Sequence, residues 1–226
     1  MNKFIEDLRK EGINLTDEML KNFDSFFHLL IETNKTTNLT RIVDKESVYY
    51  LHFFDSLMIM KAIDNKEDVK LLDVGSGPGF PALPLKILNK DMYISIVEAT
   101  NKKVEFIKKV IDELNLKLID VNHMRAEDYT ELNKFDYVTT RAVSTIREQL
   151  PYTIPFLKIG GSLISMKGQS KADEEIKEAE PLLKKIGAEV ERRIKYQVLD
   201  RSYELIVIKK KKETPKGYPI RLHKTK

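Results

Sequence analysis

The stretch from Asp73 to Pro81 contains three glycines at a spacing that could place bare backbone against a ligand. Gly75, Gly77 and Gly79 alternate with other residues directly after a short apolar run. Glycine adopts positive φ without strain and lets a ligand approach the main chain closely. A dinucleotide-binding loop would read GxGxxG, but here the third glycine comes one residue early, and no Walker lysine follows. The loop therefore fits neither of those two ligand classes.

Its form, Asp-x-Gly-x-Gly-x-Gly, resembles motif I of methyltransferases that use S-adenosylmethionine (SAM). SAM has no pyrophosphate, so the helix after the loop need not hold a dianion. Its ribose needs an acceptor for two hydroxyl protons, and Glu98, at the end of the next predicted strand, is well placed to be that acceptor. Ala126 and Glu127 follow the third predicted strand, in the turn that borders the adenine in such folds. Loop, acid and turn together predict a SAM site.

The elements that must hold these residues alternate between strand and helix from about residue 68. This alternation indicates βαβ units and a mainly parallel sheet, while two last strands without an intervening helix predict an antiparallel pair at one edge. The layout is that of the class I SAM-methyltransferases, a Rossmann-like α/β fold with seven strands and helices on both faces. The predicted strands are Lys70–Val74, Tyr93–Glu98, Lys117–Asn122, Phe135–Thr140, Ser162–Lys167, Glu189–Gln197 and Tyr203–Lys210, and the predicted helices lie near 81–89, 101–114, 144–157 and 171–187.

The first 65 residues are predicted to form a helical extension. Leu15 and Leu20 flank Thr16 as a hydrophobic staple around an N-cap, and apolar residues at helical spacing follow. The polar run 34–38 should end that helix, and residues 45–63 should form another helical run. The predicted division is therefore 1–65 helical extension, 66–210 methyltransferase domain and 211–226 basic tail.

Charge is distributed unevenly along the chain. Residues 192–226 carry twelve Lys and Arg against three acids, a net of +9, whereas the preceding residues carry 27 against 32, a net of −5. Such a segment favours either a polyanionic partner or a solubilising tail with a lysine-protected strand edge. The absence of cysteine excludes disulfides, thiolate metal sites and a cysteine nucleophile. Without a signal-like start or a long apolar run, a cytoplasmic protein with no membrane contact and no metal is expected.

Several methyl acceptors are excluded by what the sequence lacks. Methylation of a pyrimidine C5 needs a cysteine nucleophile. Exocyclic-amine enzymes carry a Pro-Pro-aromatic turn after the fourth strand, where this chain has residues 136–142 without proline, and Asp136 alone makes no metal site for catechol-type chemistry. What remains is a nucleophile that needs little deprotonation, and guanine N7 is one example, because its lone pair is free at neutral pH and needs no general base. Catalysis would then be mostly positioning.

Motifs along the whole chain resemble those of the RsmG family, also called GidB, bacterial methyltransferases that act on guanine N7 in small-subunit ribosomal RNA (rRNA). The motifs are Asn34–Thr40, His52–Leu57, Asp73–Pro81, Arg125–Glu127, Thr140–Ala142, Lys167–Gly168 and Thr214–Pro219. The resemblance implies methylation of guanine 527 of 16S rRNA, with S-adenosylhomocysteine as the second product. It also implies the 16S rRNA, the small subunit or its precursor as the partner; we expect a monomer.

The resemblance carries particular roles to particular residues. Arg141 is implied at the SAM and substrate site, as the residue that positions the reacting groups. The resemblance also implies SAM contacts at Gly75, Phe80, Ala126, Glu127 and Arg141, and RNA contacts at Arg125, Lys167 and Arg201. The glycine-loop argument adds Asp73, Gly77, Gly79 and Glu98 to the predicted cofactor-binding residues, and the basic segment adds Lys209 and Lys210 to the predicted RNA-binding residues. The chain departs from the family at Glu98, where the family has Asp, and after Pro219, where Ile220 replaces the first of two arginines.

Three questions stay open at this point. The alternative role for Arg141 is a structural ion pair with Asp73 or Glu98. His52 is interpreted as a core residue, and Asn34, Asn38 and Thr40 as either caps or pocket residues. Two other functions also fit: methylation of a small molecule or protein, and an RNA-binding regulatory protein that retains SAM as a structural ligand.

Overall fold

The computed structural model describes residues 2–64 and 68–220. Within these residues the chain forms one seven-stranded sheet, and the predicted α/β class is confirmed. The strands are β1 Lys70–Val74, β2 Tyr93–Glu98, β3 Ile119–His123, β4 Phe135–Arg141, β5 Leu157–Gly168, β6 Ala188–Val198 and β7 Arg201–Lys210. The predicted boundary at 65/66 and residues 221–226 of the predicted tail lie outside the described residues.

The order of the strands, β3-β2-β1-β4-β5-β7-β6, reverses between β1 and β4. Strands β1 to β5 are parallel, whereas β7 runs antiparallel to both β5 and β6. The carboxyl ends of the parallel strands therefore meet at one edge, which we call the cleft edge, near residues 74, 98, 123, 141 and 168. We call the opposite edge the far edge. Open α/β sheets bind ligands at the carboxyl ends, where the strand order reverses.

The N-terminal residues form the predicted helical region. It contains α1 Asn2–Lys10, α2 Asp17–Thr37, α3 Lys45–Val48, a π-helical turn Tyr49–Phe54, α4 Asp55–Leu57 and a 3₁₀ turn Met58–Ala62. The predicted N-cap is confirmed, because Thr16 Oγ1 accepts a bond of 3.3 Å from the amide of Met19. No helix of the described residues is long and apolar enough to cross a membrane.

The prediction that the polar run 34–38 ends α2 is confirmed, since the helix ends at Thr37 and Asn38 is its left-handed C-cap. The Asn34 side chain lies in the last turn and folds the chain that leaves the helix. Its Oδ1 accepts the amides of Leu39 at 2.6 Å and Thr40 at 2.9 Å, and its Nδ2 donates to the Thr40 carbonyl at 2.9 Å. Asn34 and Asn38 are thus capping and turn residues.

The remaining helices are α5 Ala82–Leu88, α6 Asn101–Glu113, α7 Ile146–Gln149 and α8 Gln169–Ile186. The single helix predicted for 144–157 is wrong: α7 has four residues and is followed by two 3₁₀ turns, Leu150–Tyr152 and Ile154–Phe156. Each turn carries a proline, Pro151 or Pro155, which lacks the amide that a longer helix would need. Strand β5 then begins at Leu157, five residues before its predicted start.

Alternating residues of the strands supply two cores, one on each face of the sheet. Leu71 and Ile164 face the core that contains α1, α2, α5, α6 and the π-helical turn. Leu72 and Leu163 face the core of α7 and α8. This alternation follows from the two-residue repeat of a strand. The N-terminal helices therefore pack as a layer of the same core as the sheet.

Lys210, which the sequence analysis predicts to bind RNA, is enclosed by the fold. Strand β7 extends through Lys210, whose side chain is fully buried. Its Nζ donates to Asn133 Oδ1 at 2.6 Å and to the Leu157 carbonyl at 2.9 Å. Because a buried ammonium needs such acceptors, Lys210 closes the packing at the far edge and cannot present its charge to RNA.

Replacement of Lys210 by Ala is expected to lower the free energy of unfolding by about 1–3 kcal/mol, because the buried Leu157 carbonyl loses its donor and a buried side chain is removed. Urea denaturation measures this loss. The neighbouring Lys211, whose side chain is half exposed, is the control, and Lys211→Ala should change stability by no more than about 0.5 kcal/mol. Equal effects of the two substitutions would contradict the structural role of Lys210.

Candidate active site

A cleft of about 920 Å³ opens at the cleft edge, where the strand order reverses. Its walls come from the ends of β1, β2 and β4, the turn after β3, and α7 and α8. The lining residues are Val74, Gly75, Val97, Glu98, Ala99, Met124, Arg125, Ala126, Glu127, Ala142, Val143, Ser144, Thr145, Glu148, Tyr152 and Glu175. The structure thus brings together five of the predicted site residues: Gly75, Glu98, Arg125, Ala126 and Glu127.

The glycine loop connects β1 to α5 and packs between Val143, after β4, and Leu83 of α5. At Gly75, where φ is +74°, a Cβ would lie 2.9 Å from Cγ2 of Val143. At Gly79, where φ is +98°, a Cβ would collide with the side chain of Leu83. Any side chain at these two positions would therefore meet both backbone strain and a neighbour.

Glu98 connects the end of β2 to the glycine loop. Its Oε2 accepts the amide of Gly77 at 2.9 Å, and its Oε1 accepts the amide of Thr100 at 2.8 Å. Each carboxylate oxygen can accept two hydrogen bonds, so each retains one acceptor site, and Glu98 lines the cleft. Glu98 can hold the loop and a ligand hydroxyl pair at the same time.

Asp73 lies behind the loop and does not line the cleft. It is fully buried, its Oδ2 accepts the amide of Ala82 at 3.2 Å, and its Oδ1 accepts the Thr139 hydroxyl at 2.9 Å. Burial raises the pKa of Asp73 to about 6. Its bonds tie the start of α5 to β1 and β4, so the acid fixes the loop from below.

Phe80 also lies behind the loop, inside the aromatic packing of the N-terminal helices. Its ring stacks on Phe26 at 5.3 Å and on His52 at 4.5 Å between centroids. The guanidinium of Arg141 lies 5.7 Å from the same ring. The N-terminal helices therefore support the glycine loop directly.

Arg141, at the end of β4, is held by the N-terminal helices and not by Asp73 or Glu98. Its Nε lies 3.0 Å from Asp55 Oδ2, and its Nη2 donates to the Leu51 carbonyl and lies 3.2 Å from His52 Nδ1. Its Nη1 lies 3.4 Å from Ser56 Oγ. The side chain is 17% exposed, and most of its donors are engaged.

Asp55 is itself a junction within this network. Its second oxygen, Oδ1, accepts the hydroxyl of Tyr196 on β6 at 2.7 Å. One buried carboxylate thus links α4, β4 and β6. The sequence offered one sign of this role: Asp55 is an acid within an otherwise apolar helical run.

His52 is a neutral, buried member of the same network, which agrees with its interpretation as a core residue. Burial, followed by the neighbouring Arg141, lowers the pKa of His52 to about 3. Because Nδ1 accepts from Arg141, the ring proton lies on Nε2, which donates to Thr40 Oγ1 at 3.0 Å. Thr40 therefore helps to hold the imidazole against Phe80.

The wall after β4 was missed by the sequence analysis. The turn Ala142–Thr145, Glu148 and Tyr152 line the cleft opposite the glycine loop, together with Glu175 of α8. Thr145 and Glu148 form a capping box at the start of α7. The Thr-x-x-Glu spacing of that box was the available signal.

The predicted RNA-binding residues are divided between the two edges of the sheet. Arg125 is exposed beside the cleft, and Arg201 begins β7 at the cleft edge, two residues before Tyr203, which pairs with Gly168. Lys209 and Lys210 lie at the far edge, about 26–30 Å from Arg201 along the strand. Lys209 contacts Glu191 at 3.6 Å.

Lys167 lies at the cleft edge, but it is mostly covered. Its side chain is 12% exposed and forms an ion pair of 2.8 Å with Glu175.

No group of three or more His, Asp or Glu side chains that could hold a metal ion occurs in residues 2–64 and 68–220.

Comparison with known sequences gives one consistent family. The family model GidB, described as "rRNA small subunit methyltransferase G", matches residues 19–202. "Ribosomal RNA small subunit methyltransferase G" of Streptococcus pneumoniae serotype 4 is 40% identical over 222 residues, which cover 96% of this chain and 93% of that protein. The protein of the same name from Streptococcus sanguinis is 40% identical over 224 residues, with 96% and 94% covered.

Solved structures show the same fold at low sequence identity. TYW2 of M. jannaschii, crystallised with AdoMet, has a TM-score of 0.58 at 14% identity and covers 75% of this chain and 79% of its own. A SAM-dependent methyltransferase from Aquifex aeolicus has a TM-score of 0.54 at 17% identity, with 78% and 96% covered. The predicted class I methyltransferase fold is confirmed.

The buried imidazole makes stability depend on pH. Below about pH 6.5 the unfolded chain protonates His52, whereas the folded chain does not do so until about pH 3. The stabilisation is therefore complete above pH 6.5 and is lost as the pH falls, by about 1.4 kcal/mol per pH unit. Urea unfolding at pH 7.5 and 5.5 measures it. Wild type should lose about 1.4 kcal/mol more than His52→Gln; equal losses would mean that the folded protein protonates this ring.

Proposed function

This chain belongs to the GidB family of rRNA small subunit methyltransferases, and from that premise we propose that it methylates N7 of one guanine, the family's guanine 527. It is an rRNA methyltransferase that uses SAM. The observation that supports the finer proposal most is the cleft at the strand reversal, where an acceptor carboxylate and a glycine loop face the turn Ala142–Thr145. The guanine, its N7 and the numbered site come from the family resemblance.

The residues around the cleft fit SAM. Glu98 retains acceptor sites for the ribose hydroxyls, and the backbone at Gly75 lines the space for the methionine portion. Ala126 and Glu127, in the turn after β3, border the space for the adenine. A Cβ at Gly77 would meet no protein atom within 4 Å, so this part of the loop faces open space. When bound, SAM supplies an electrophilic methyl group.

The chain's own task is then to orient the acceptor, because N7 carries a free lone pair and loses no proton on methylation. No general base is required, which distinguishes this acceptor from an amine or a hydroxyl. The role of Arg141 is to position the cleft. It holds the end of β4, where the turn that faces the glycine loop begins, against the helices that support that loop. Alignment of the reacting atoms supplies most of the rate.

The RNA is proposed to lie across the cleft edge. Arg125 and Arg201 are exposed there, and their charges favour phosphate contacts that set the register of the RNA without reading bases. Lys211 and Lys212, at the far edge, are too distant to contact the same stretch of backbone. The basic segment of the sequence therefore divides into an RNA-facing part and a part that solubilises the far edge.

The direct test is incubation of the protein with labelled SAM and small ribosomal subunits from a strain that lacks the enzyme, followed by mapping of the modified base. We expect one labelled 7-methylguanine at the family's site. A label on another atom, on another base or on protein would contradict the proposal. A matched incubation with naked 16S rRNA identifies which assembly state is the substrate.

Glu98→Ala should weaken SAM binding by at least about ten-fold and change the single-turnover rate at saturating SAM much less. The reason is that the carboxylate holds ribose equally in the ground and transition states. Calorimetry gives the affinity, and rapid quench gives the rate. Asp120→Ala, which removes an acid of the neighbouring β3 outside the cleft, is the control and should leave both values unchanged. A large loss of saturated rate with unchanged affinity would instead place Glu98 in the chemical step.

Neutralisation of Arg201 should flatten the salt dependence of RNA binding, while neutralisation of Lys212 should not. Each phosphate contact contributes about 0.7–0.9 to the slope of log affinity against log salt. Arg201→Gln and Lys212→Gln each remove one exposed charge, at opposite edges of the sheet. Filter binding at four salt concentrations measures both slopes. If Lys212→Gln flattens the slope and Arg201→Gln does not, the RNA lies across the far edge.

A further inference from the structure

The ion pair between Lys167 and Glu175 braces the turn that follows β4. Lys167 is near the end of β5, and its Nζ lies 2.8 Å from Glu175 Oε2 and also donates to the Ser144 carbonyl. The same oxygen of Glu175 accepts the amide of Ile146 at 2.9 Å. The pair therefore grips the main chain on both sides of Thr145.

The braced turn forms the wall of the cleft opposite the glycine loop. Val143 lies against Gly75, and the Ser144 hydroxyl bonds to the Tyr152 hydroxyl at 2.7 Å. Ala142, which begins the turn, has φ of +53°, in the left-handed region that alanine rarely adopts. Such a conformation persists only where the surroundings hold it. The pair, the capping box and the Ser144–Tyr152 bond all hold this turn.

Lys167 is poorly suited to contact RNA. Two of its three ammonium donors are used, and its side chain is 12% exposed, against 60% for Arg201. Its charge is already compensated by a carboxylate that is 15% exposed. A phosphate would have to displace Glu175 and release the turn in order to bind.

We propose that Lys167 and Glu175 are positioning residues that set the wall of the SAM cleft, and that Lys167 is not an RNA contact. The pair acts through the turn Ala142–Ile146, which fixes the distance between Val143 and the glycine loop. This inference rests on the proposed placement of SAM in the cleft, but not on the identity of the methylated base.

The test measures SAM binding to the RNA-free protein by calorimetry. Lys167→Met and Glu175→Gln should each weaken SAM affinity about ten-fold, and the double variant should lose little more than either single variant, because the two groups act as one unit. The single-turnover rate should fall on the order of 10–100-fold if the wall is displaced by about 1 Å. Lys167→Arg, which can still pair with Glu175, should restore much of the affinity.

Two controls separate the alternatives. Lys171→Gln removes an exposed lysine one helical turn before Glu175 and should leave SAM affinity unchanged. Thermal unfolding confirms that each variant is folded at the assay temperature; if Lys167→Met is not, Glu175→Gln, which keeps the shape of the side chain, decides alone. The slope of RNA affinity against salt should stay at the wild-type value in Lys167→Met.

Wild-type SAM affinity in folded Lys167→Met and Glu175→Gln would overturn the proposal, whatever their effect on RNA. A flattened salt slope in Lys167→Met would likewise overturn it, because the lysine would then contact phosphate. The SAM affinity of Gly77→Val shows whether such a result means that the ion pair does not position the wall or that SAM does not bind in this cleft. If Gly77→Val also retains wild-type SAM affinity, SAM does not bind at this loop, and the proposed placement fails together with the inference.

Discussion

The site depends on one ion pair, between Arg141 at the end of β4 and Asp55 in the N-terminal helices. Both side chains are largely buried, and removing charges from water is costly unless each polar atom finds a partner. Here the partners are provided by a local irregularity. In the π-helical turn Tyr49–Phe54 the amide of Asp55 bonds to the carbonyls of Tyr50 and His52, so that the Leu51 carbonyl remains free to accept from Arg141. The π turn is thus part of the binding site for the guanidinium.

The Arg141–Asp55 pair also supports the glycine loop, through His52 and Phe80. Arg141 holds His52, and the imidazole stacks on Phe80, which closes the glycine loop on the side away from the cleft. The N-terminal helices are therefore the outer support of the loop as well as a layer of the core. On the other face of the sheet, the turn after β4 is held by different contacts from α7 and α8. The two walls of the cleft are thus built by the two separate cores.

The sheet could be predicted from the sequence because its signals are local. Short apolar runs such as Lys70–Val74 and Tyr93–Glu98 end at glycine or charged residues and are followed by segments with helical spacing. Both strands have the predicted ends. The partner of Arg141 could not be predicted in this way. Asp73 and Glu98 are nearer in the sheet, but Asp73 is already bound to Thr139 and the start of α5, and Glu98 to two backbone amides. The partner comes from a helix early in the chain, which only tertiary packing brings to β4.

The environment of individual lysines also could not be predicted from the sequence, because it depends on contacts that are distant along the chain. A run of four lysines predicts solvent exposure, yet Lys210 is buried because Asn133 and the Leu157 carbonyl, both distant in sequence, converge on it. Lys167 and Arg201 each read as a cation near the end of a strand, but one is neutralised by Glu175 and the other is exposed. Net charge along a sequence therefore predicts a polyanionic partner better than it predicts which cations meet it.

The protonation states around the cleft agree with a reaction that moves no proton on the enzyme. His52 is neutral, since burial lowers its pKa to about 3, and its two ring nitrogens are occupied by Arg141 and Thr40. Asp73 is enclosed by an amide and a hydroxyl and does not reach the cleft. An acceptor that had to be deprotonated would need a base that is free to reach it, and neither His52 nor Asp73 is free. Their use as fixed hydrogen-bond partners is consistent with the proposed acceptor, whose lone pair is free, and for such an acceptor the accuracy with which the two walls are held becomes the main determinant of rate.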